Sequence, residues 1–347
     1  MDMKNELNVA LSANERYMPG ALVAATGVAI YAKPETLLVF HLFTEGVKDE
    51  TFGFFSHTLK RLHPQSQIIR HECDENVLAG LPYWAGSRMA AVRCHYATLM
   101  PDVDWCLYLD CDVLYLSSVD EHFSYCDDSV YACVVQEEHE RTRQVERAWI
   151  EKNCKVHIRD ESYFNSGVVL FNLKKMREDG IPEKLIRFFQ DHPDVPSPDQ
   201  DALNTTFAGH VKLLPAKFNR LQIYMTDDKL AERPAIHYVT GNPWLKKYGE
   251  VASWRFRLWH RFADKYIWGK SGESYRRLFD SKIIAIKYIS YYLLKTPIVW
   301  RIFVFLLSKM KLIIHPVWWR TAQVSFDCTS RGVKVVLEDA RHEMFFD

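Results

Sequence analysis

Short apolar runs alternate with longer stretches of helical periodicity along the first 240 residues. Leu37–Phe43 is an apolar run typical of a strand buried on both faces of a sheet. Asp49–Leu62 instead places Phe52, Phe55 and Leu59 on one side of a helix. Repeated strand–helix units of this kind predict an α/β fold, in which helices cover both faces of a mostly parallel sheet. The predicted strands are Leu7–Leu11, Leu37–Phe43, Gln67–His71, Cys106–Leu109, Val130–Val135 and Val168–Asn172, and the predicted helices are Pro19–Tyr31, Asp49–Leu62, Arg88–Leu99, Pro182–Gln190 and Asp199–Phe207.

Charge and aromatic content change near residue 250. The whole chain is 48% hydrophobic and 25% charged with no net charge, as is ordinary for a folded soluble protein. Residues 252–320, however, carry fourteen Lys or Arg against three acids, and six of the ten tryptophans lie there. The sequence therefore predicts a domain boundary near residue 250, between a domain over residues 1–250 and a basic, aromatic, helical region over residues 251–347.

The basic region has the pattern of a helix that lies on a membrane. Its apolar residues recur at helical spacing, but no run reaches the ~20 apolar residues that a spanning helix requires. Basic, aromatic and amphipathic character together favour a helix in an anionic membrane surface. The alternative is a helical subdomain packed on the rest of the chain. We expect no nucleic-acid partner, because no RNA- or DNA-binding motif accompanies the charge.

The cysteines and the N-terminus indicate the compartment. The eight cysteines form no Cys-x-x-Cys pair, and several lie inside apolar runs, as reduced core thiols do. Met1–Asn8 is polar rather than the apolar segment of a secretory signal. We therefore expect a cytoplasmic protein that is peripheral on the inner face of the cell membrane.

Two carboxylates, Asp110 and Asp112, follow the apolar run that ends at Leu109. Residues i and i+2 of an extended segment project to the same side, so both acids can face one point. Carboxylate oxygens suit a hard cation such as Mn²⁺ or Mg²⁺, which substrate phosphates often complete. In a strand, the side chain of Cys111 points away from the two acids, so we do not expect it to bind the metal. We group Cys111 with the cofactor-binding residues because it lies between Asp110 and Asp112.

Two further motifs offer polar groups for a ligand. Arg93 lies one helix before the acids, where a guanidinium can reach a phosphate or ribose; the alternative is a surface arginine. Asn165, Ser166 and Gly167 precede an apolar strand. The glycine permits close approach of the backbone to a ligand, and the amide and hydroxyl suit sugar hydroxyls. The alternative is a plain turn before the strand.

Two later motifs complete the set. Asp199 and Gln200 begin a predicted helix within the sequence Asp-Gln-Asp. Helix capping explains one acid there but not both, and Gln200 offers a neutral carbonyl oxygen to a cationic centre. His237 ends an apolar strand just before the glycine turn at Gly241. A neutral imidazole can complete a metal site begun by two carboxylates.

An arginine before the acids, Asp-x-Asp, Asn-Ser-Gly, Asp-Gln-Asp and His-Tyr-x-x-Gly followed by Pro-Trp occur here in that order. The set resembles the family 8 retaining glycosyltransferases, particularly the bacterial lipopolysaccharide galactosyl- and glucosyltransferases, over roughly residues 7–250. The resemblance implies a GT-A fold and a donor that is UDP-galactose or UDP-glucose. It also implies Mn²⁺, or Mg²⁺, held by two aspartates and a histidine.

Carried over by motif, the resemblance assigns metal ligands and donor contacts. The metal ligands are Asp110, Asp112 and His237. The donor contacts are Arg93, Asn165, Asp199 and Gln200, with Gln200 beside the anomeric carbon, and the uridine pocket is formed by Ser12, Ala13 and Asn14 after the first strand.

The chain departs from the family at two positions. Asn14 stands where the family often has aspartate against uracil, so base recognition uses an amide. Asn242 stands before Pro-Trp where a lysine commonly holds the diphosphate, and Lys246 or Lys247 is the candidate replacement.

The expected reaction is transfer of a hexose to a hydroxyl of a glycan or glycolipid acceptor, such as the lipopolysaccharide core or another cell-envelope glycan. Glutamine is a poor nucleophile, so a same-face substitution that retains configuration is more economical than a double displacement. Two alternatives are a metal-dependent phosphohydrolase and a membrane-bound UDP-sugar-binding protein with little turnover. The lysine missing before Pro-Trp favours the second of these.

Overall fold

The computed structural model describes residues 6–84, 86–244 and 254–268, and the backbone of residues 324–329 and 332–337. The chain forms two compact units, residues 1–242 and residues 243–347. The assignment of a catalytic domain to residues 1–250 and a membrane-associating region to residues 251–347 is a proposal about function, and the two units are described separately below.

The strands of the first unit form a seven-stranded and a three-stranded sheet. The strands are β1 (Glu6–Asn14), β2 (Leu37–Glu45), β3 (Gln67–Glu72), β4 (Trp105–Leu109), β5 (Val113–Tyr115), β6 (Ala132–Gln136), β7 (Phe164–Asn172), β8 (Val211–Leu213), β9 (Arg220–Leu221) and β10 (Ala235–His237). The large sheet has the order β3-β2-β1-β4-β7-β6-β8, and the small one β5-β10-β9.

The large sheet is mostly parallel, as predicted. β7 alone runs antiparallel to its neighbours β4 and β6, and the other adjacent pairs are parallel. Strands β1, β2 and β7 are buried along most of their length, which explains why their sequences read as nearly continuous apolar runs.

The helices of the first unit pack against this sheet. They are α1 (Met18–Tyr31), α2 (Asp49–Leu62), α3 (Glu75–Leu78), α4 (Tyr96–Leu99), α5 (Val119–Phe123), α6 (Glu140–Cys154), α7 (Leu173–Glu178), α8 (Ile181–Asp191), α9 (Pro198–Thr206) and α10 (Asp227–Ala231). The predicted helix Asp49–Leu62 has these bounds in the structure. The predicted helix Arg88–Leu99 is helical from Met89 onward, as a 3₁₀ helix over Met89–His95 and as an α-helix over Tyr96–Leu99.

Helix α1 is apolar on all sides and buried, as expected of a helix enclosed by other elements. It passes very close to β5 at Gly27. A Cβ atom added to Gly27 would lie 2.1 Å from the carbonyl oxygen of Tyr115, so any larger residue there would separate helix and strand. The small sheet is thereby packed directly against α1 through β5.

The chain leaves the large sheet after β4 and enters the small sheet at β5. The connection is the three residues Asp110, Cys111 and Asp112. β5 pairs antiparallel with β10, which sets His237 opposite Val113. The predicted acidic pair and the predicted histidine therefore meet where the two sheets join.

The second unit contains α11 (Trp254–Ala263), a π-helical turn over Asp264–Trp268, and an antiparallel hairpin of β11 (Val324–Thr329) and β12 (Gly332–Leu337). In α11, Trp259 is fully buried and its ring centroid lies 6.1 Å from that of Trp244. Among the described residues, no helix is both long and apolar enough to cross a membrane. Lys246 and most of the basic stretch 252–320 lie outside the described residues.

Candidate active site

Asp110, Asp112 and His237 bring their ligand atoms together at the junction of the two sheets. These atoms all lie within 4.8 Å of one another. The Nε2 atom of His237 is 3.3 Å from Oδ1 of Asp112 and 3.6 Å from Oδ2 of Asp110. The acids are partly exposed, whereas the imidazole is buried. The structure thus unites the three residues that the sequence predicts as metal ligands.

The reason for their convergence differs from the one predicted. Asp110 and Asp112 do not lie along one extended strand, because β4 ends at Leu109 and the next residues form a turn closed by the Val113 N–H and the Asp110 carbonyl at 3.2 Å. The turn redirects the chain from one sheet to the other. Cys111 points away from the cluster, and its thiol lies 3.3 Å from the carbonyl oxygen of Ser12.

The tautomer of His237 follows from its contact with Asn165. Nδ1 of His237 lies 2.9 Å from Oδ1 of Asn165, and the same oxygen accepts the backbone N–H of Gly167 at 3.0 Å. Because a backbone N–H can only donate, the Asn165 atom facing the imidazole is an oxygen and Nδ1 must carry the hydrogen. This arrangement turns Nε2 toward the two acids.

The charges of the cluster fit a divalent cation. Burial lowers the pKa of His237, but the carboxylates of Asp112 and Asp110 outweigh that effect and hold the pKa above its ordinary value. Nε2 of His237 and the carboxylate oxygens of both acids thus face one another, which favours a positive charge between them, either a proton or a metal ion. Two carboxylate oxygens and one imidazole nitrogen are ligands that Mn²⁺ and Mg²⁺ accept, so these residues fit the metal that the sequence predicts.

Gly167 makes room for the imidazole. A Cβ atom added to Gly167 would lie 2.2 Å from Cε1 of His237 and 2.5 Å from Nδ1, which is too close for any real contact. The Gly167 carbonyl also accepts the N–H of Asp110 at 2.8 Å. The glycine therefore determines the positions of two of the three candidate ligands.

Asn165, Ser166 and Gly167 lie inside β7, which begins at Phe164, so the predicted strand Val168–Asn172 starts too late and the alternative of a plain turn is wrong. The pairing of β7 with β6 shifts here: Val134 pairs with Val169, and Val135 pairs with Asn165. The residues between form a bulge whose backbone groups do not bond to β6. Bulges of this kind free backbone groups and redirect side chains. The freed N–H of Ser166 donates to Oε1 of Gln200 at 3.1 Å.

Arg93 is buried beneath the site, with 2% of its side chain exposed. Its guanidinium donates to Oδ1 of Asp110 and to the Ser166 carbonyl, both at 2.6 Å, and lies 3.3 Å from Oδ2 of Asp199. The side chain also stacks over the Tyr108 ring at 4.0 Å. The surface-arginine alternative is therefore wrong. Arg93 neutralises two acids at once, and its contact with the donor stays a prediction.

Helix α9 begins at Pro198, one residue before the predicted helix Asp199–Phe207, and presents Asp199 and Gln200 beside the bulge. Asp199 accepts from the hydroxyl of Ser166 at 3.3 Å. The amide of Gln200 is held at both ends: Oε1 accepts from Ser166, and Nε2 donates to the hydroxyl of Tyr163 at 3.1 Å. Its assignment to the anomeric carbon stays a prediction.

The residues predicted for the uridine pocket lie within β1 rather than after it, because the strand continues to Asn14. The hydroxyl of Ser12 is 2.6 Å from that of Tyr96, and Ala13 is fully buried. Nδ2 of Asn14 lies 3.5 Å from the hydroxyl oxygen of Ser87, while its Oδ1 is buried and has no hydrogen-bond partner among the described residues.

Gly241 occupies the predicted glycine turn after β10. It adopts a φ of +153°, a backbone conformation that side chains other than glycine rarely adopt, and its N–H lies 3.3 Å from the Tyr238 carbonyl. Tyr238 itself donates its N–H to the Asp112 carbonyl at 2.9 Å. The turn is thus fixed to the acidic pair, as the predicted motif requires.

Several supporting residues are missed by sequence reasoning. Glu137 accepts from Nδ2 of Asn165 at 2.8 Å, and Asn219 donates to its Oδ1 at 2.9 Å. Within the Asp-Gln-Asp segment, Tyr163 contacts Gln200 and Glu146 contacts Asp201. Tyr163 lies two residues before Asn165, and this closeness to the predicted motif is the only feature of the sequence that points to it. The other three carry none, because isolated polar residues resemble surface positions.

The family model described as glycosyl transferase family 8 matches residues 8–247 of this chain. The chain belongs to this family. Membership makes it a glycosyltransferase and implies a nucleotide-sugar donor and a divalent metal site. Neither the phosphohydrolase nor the non-catalytic sugar-nucleotide-binding alternative is favoured by this finding.

The family assignment agrees with its similarity to named proteins. The chain is 27% identical over 247 residues, 69% of each chain, to a lipopolysaccharide 1,2-glucosyltransferase of Escherichia coli. It is 26% identical over 258 residues to a lipopolysaccharide 1,3-galactosyltransferase of Salmonella typhimurium, covering 69% of this chain and 73% of that one. The solved galactosyltransferase LgtC, in complex with donor and acceptor sugar analogues, superposes with a TM-score of 0.61 at 24% identity, covering 75% of this chain and 96% of that chain. This likeness confirms the GT-A fold.

Proposed function

We propose that this glycosyltransferase moves galactose or glucose from a UDP-sugar to a hydroxyl of the lipopolysaccharide core or another cell-envelope glycan, with retention of configuration and with Mn²⁺ as its metal. The observation that carries the proposal is the convergence of Asp110, Asp112 and His237, which Arg93 links through Asp110 to Asp199, the neighbour of Gln200. The names of the relatives, which transfer glucose and galactose in lipopolysaccharide, support the sugar and the acceptor.

Asp110, Asp112 and His237 would hold the metal ion, whose positive charge, when bound, stabilises the departing diphosphate. Arg93 supports the site by pairing with two of its acids. Its buried guanidinium offsets the charges of Asp110 and Asp199, so the acids keep their positions when the site is empty of donor.

Asn14 fits the uracil ring of the donor. Its buried Oδ1 has no hydrogen-bond partner among the described residues, and a buried acceptor without a donor is costly. The N3–H of uracil is a donor of the required kind. An amide oxygen can thus replace the carboxylate that other family members present to the base.

The acids beside Gln200 support retention without a covalent intermediate. Asp201 is fully buried and accepts from Tyr163, and Asp199 is held by Arg93 and Ser166. Neither carboxylate is free to attack the anomeric carbon. The oxygen of Gln200 can instead stabilise the positive charge that develops on the sugar, while the acceptor hydroxyl attacks on the face from which UDP departs.

The proposed location is the cytoplasmic face of the membrane, where a glycolipid acceptor is presented. The support is the basic and tryptophan-rich composition of residues 252–320. About 1 kcal/mol of attraction per basic residue near an anionic surface would hold the enzyme reversibly.

Incubation of the purified chain with UDP-galactose or UDP-glucose and Mn²⁺, without acceptor, tests the donor and the metal. We expect slow release of UDP from one of the two sugars, and its loss in EDTA. NMR of a product made with a lipopolysaccharide-core acceptor tests the stereochemistry, and we expect an α linkage. A β linkage would overturn the proposed mechanism, and UDP release unchanged by EDTA would overturn the metal assignment.

A further inference from the structure

A continuous chain of hydrogen bonds runs from the bulge of β7 into the core beneath α9. The N–H of Ser166 donates to Oε1 of Gln200, and Nε2 of Gln200 donates to the hydroxyl oxygen of Tyr163 at 3.1 Å. The Tyr163 hydroxyl then donates to Oδ1 of Asp201 at 2.8 Å. Tyr163 and Asp201 are both fully buried, so no solvent competes for these bonds.

The chain ends on a second buried acid. Glu146 of α6 contacts Asp201, and its Oε2 atom has no donor among the described residues. A single proton held between the two carboxyl groups would supply that donor. Burial and the neighbouring Glu146 carboxylate raise the pKa of Asp201 to about 8, which agrees with a shared proton at neutral pH. The other titratable group facing Asp201 from α6 is Cys154.

The direction of each bond is fixed by its neighbour. Asp201 Oδ2 accepts the N–H of Ser197 at 3.1 Å, which leaves Oδ1 to accept from Tyr163. A tyrosine hydroxyl that donates to Asp201 presents its lone pair to Gln200, so the amide nitrogen must face Tyr163. A flipped amide would set a nitrogen against the N–H of Ser166, donor against donor.

We propose that Tyr163 is a positioning residue of the transfer reaction, whose hydroxyl, fixed by the Asp201–Glu146 pair, holds the Gln200 amide with its oxygen toward the donor sugar. The inference rests on the proposed function, in which Gln200 lies beside the anomeric carbon. Tyr163 touches no reacting atom. It acts because its hydroxyl fixes the Nε2 end of the amide, and without that bond the amide is held only by the Ser166 N–H and can tilt away from the developing positive charge.

The test is Tyr163→Phe in the full chain, which removes one oxygen and keeps the ring. We expect kcat to fall about tenfold or more while the donor KM changes little, because misplacement of a catalytic group is felt mainly in the transition state. Tyr131→Phe is the matched control. Tyr131 is also buried and donates to Asp179 at 2.8 Å, but it has no bond to Gln200. Its kcat should equal that of the wild type.

A double mutant separates the positioning role from the role of Gln200. If Tyr163 acts through Gln200, Tyr163→Phe should cost nothing further in a Gln200→Ala background. Unchanged kcat in Gln200→Ala would overturn the proposed function of that residue. Impaired Gln200→Ala with unimpaired Tyr163→Phe, or additive losses in the double mutant, would overturn the positioning role alone.

Circular dichroism and thermal unfolding establish that each variant is folded. Should Tyr163→Phe fail to fold, Asp201→Asn and Asp201→Ala make the same test from the other end of the bond. Asparagine keeps an acceptor for the Tyr163 hydroxyl and alanine does not. We expect the asparagine variant to keep more of kcat, and equal kcat in the two would overturn the proposal.

Discussion

The Nδ1 atom of His237 donates to Oδ1 of Asn165 at 2.9 Å, and this bond aims the imidazole at the two acids. Ligands of metals are commonly oriented by such a partner behind them. Asn165 also bonds Glu137, Asn219 and Gly167. A residue that the sequence predicts as a sugar contact thus supports a candidate metal ligand, and its contact with the donor sugar stays a prediction.

Asp112→Asn should remove most turnover and the response to metal. The substitution replaces one charged ligand by a neutral one, and we expect a loss of about a hundredfold or more in activity. Mn²⁺ should raise the thermal unfolding midpoint of the wild type by binding the native state, and this shift should be lost in the variant. Both quantities are measured with and without EDTA.

Asp102→Asn is the matched control for that experiment. Asp102 is an exposed aspartate ahead of β4, outside the candidate metal cluster. The control should keep both activity and the Mn²⁺ shift. Full activity of Asp112→Asn in EDTA would contradict the metal assignment.

Gly167→Ala should destabilise the protein and impair metal binding. The added methyl group would overlap the His237 ring at 2.2 Å, so either the imidazole or the β7 bulge must move. Overpacking of this kind costs about 1–3 kcal/mol of unfolding free energy. Urea unfolding measures the cost, and the Mn²⁺ thermal shift reports the displaced histidine.

Gly53→Ala is the matched control, because it adds the same methyl group at a position where we expect no loss of stability. Gly53 lies within α2, where a Cβ atom would meet nothing within 4 Å. Alanine favours a helix over glycine by about 1 kcal/mol, so this variant should be as stable as the wild type or more stable. Wild-type stability and metal response in Gly167→Ala would show that the histidine does not depend on the glycine.

The sequence predicts the strands of the sheet and the residues of the acidic and histidine cluster because both depend on local patterns. Leu37–Phe43 reads as a buried strand, and it is one. Asp110, Asp112 and His237 each follow or end an apolar run, which is why they can be identified as candidates from the sequence. Local pattern could not show that the acids lie on a turn between two sheets, because that requires the pairing partner of β5.

The bulge and the buried network were beyond sequence reasoning for a different reason. Asn165–Gly167 has turn-forming residues, and only the register between β6 and β7 reveals that they lie inside a strand. Arg93 is predicted as a donor contact, with a surface arginine as the alternative, and neither interpretation shows its burial against Asp110 and Asp199, which are distant in the chain. Long-range charge pairing leaves no periodic signal.

Stability should fall as the pH rises toward 8 because of the Asp201–Glu146 pair. The pKa of Asp201 is about 8 in the folded protein and ordinarily near ~4 in an unfolded chain. Between these values the folded state binds more protons, so unfolding becomes easier as the pH rises. Glu146→Gln removes the neighbouring negative charge and offers an N–H donor in place of the shared proton. Its unfolding free energy should therefore fall less steeply.

Urea unfolding from about pH 6.5 to about pH 8.5 measures this difference. Buried neutral histidines, such as His41 with a pKa of about 4, destabilise the folded protein only at lower pH, where they become protonated. The chosen pH range lies above that region. His237, whose pKa is raised, contributes equally to both proteins and cancels in the comparison. Glu178→Gln, an exposed acid of α7, should leave the slope unchanged. Parallel curves for the wild type and Glu146→Gln would exclude a shared proton.

The intact chain should bind anionic vesicles through residues 252–320, most of which lie outside the described residues. The excess of eleven positive charges and the six tryptophans there provide electrostatic attraction and interfacial anchoring. Binding should weaken as ionic strength rises, because exposed charges are screened within about 8 Å at physiological salt. Co-sedimentation with phosphatidylglycerol vesicles, compared with neutral vesicles, measures both effects.

Two variants separate charge from apolar surface. Removal of the chain from Ile283 onward should release the protein from the vesicles, while slow UDP-sugar hydrolysis persists because every predicted catalytic motif lies before residue 250. Replacement of Lys287, Lys295, Arg301 and Lys309 by glutamine keeps the apolar residues and removes four charges. If attraction to anionic lipid dominates, this variant should bind at least several-fold less tightly and show a weaker salt dependence, because ten of the fourteen basic residues remain. Equal sedimentation of the intact and truncated proteins, each folded by circular dichroism, would instead favour the alternative of a helical subdomain packed on the rest of the chain.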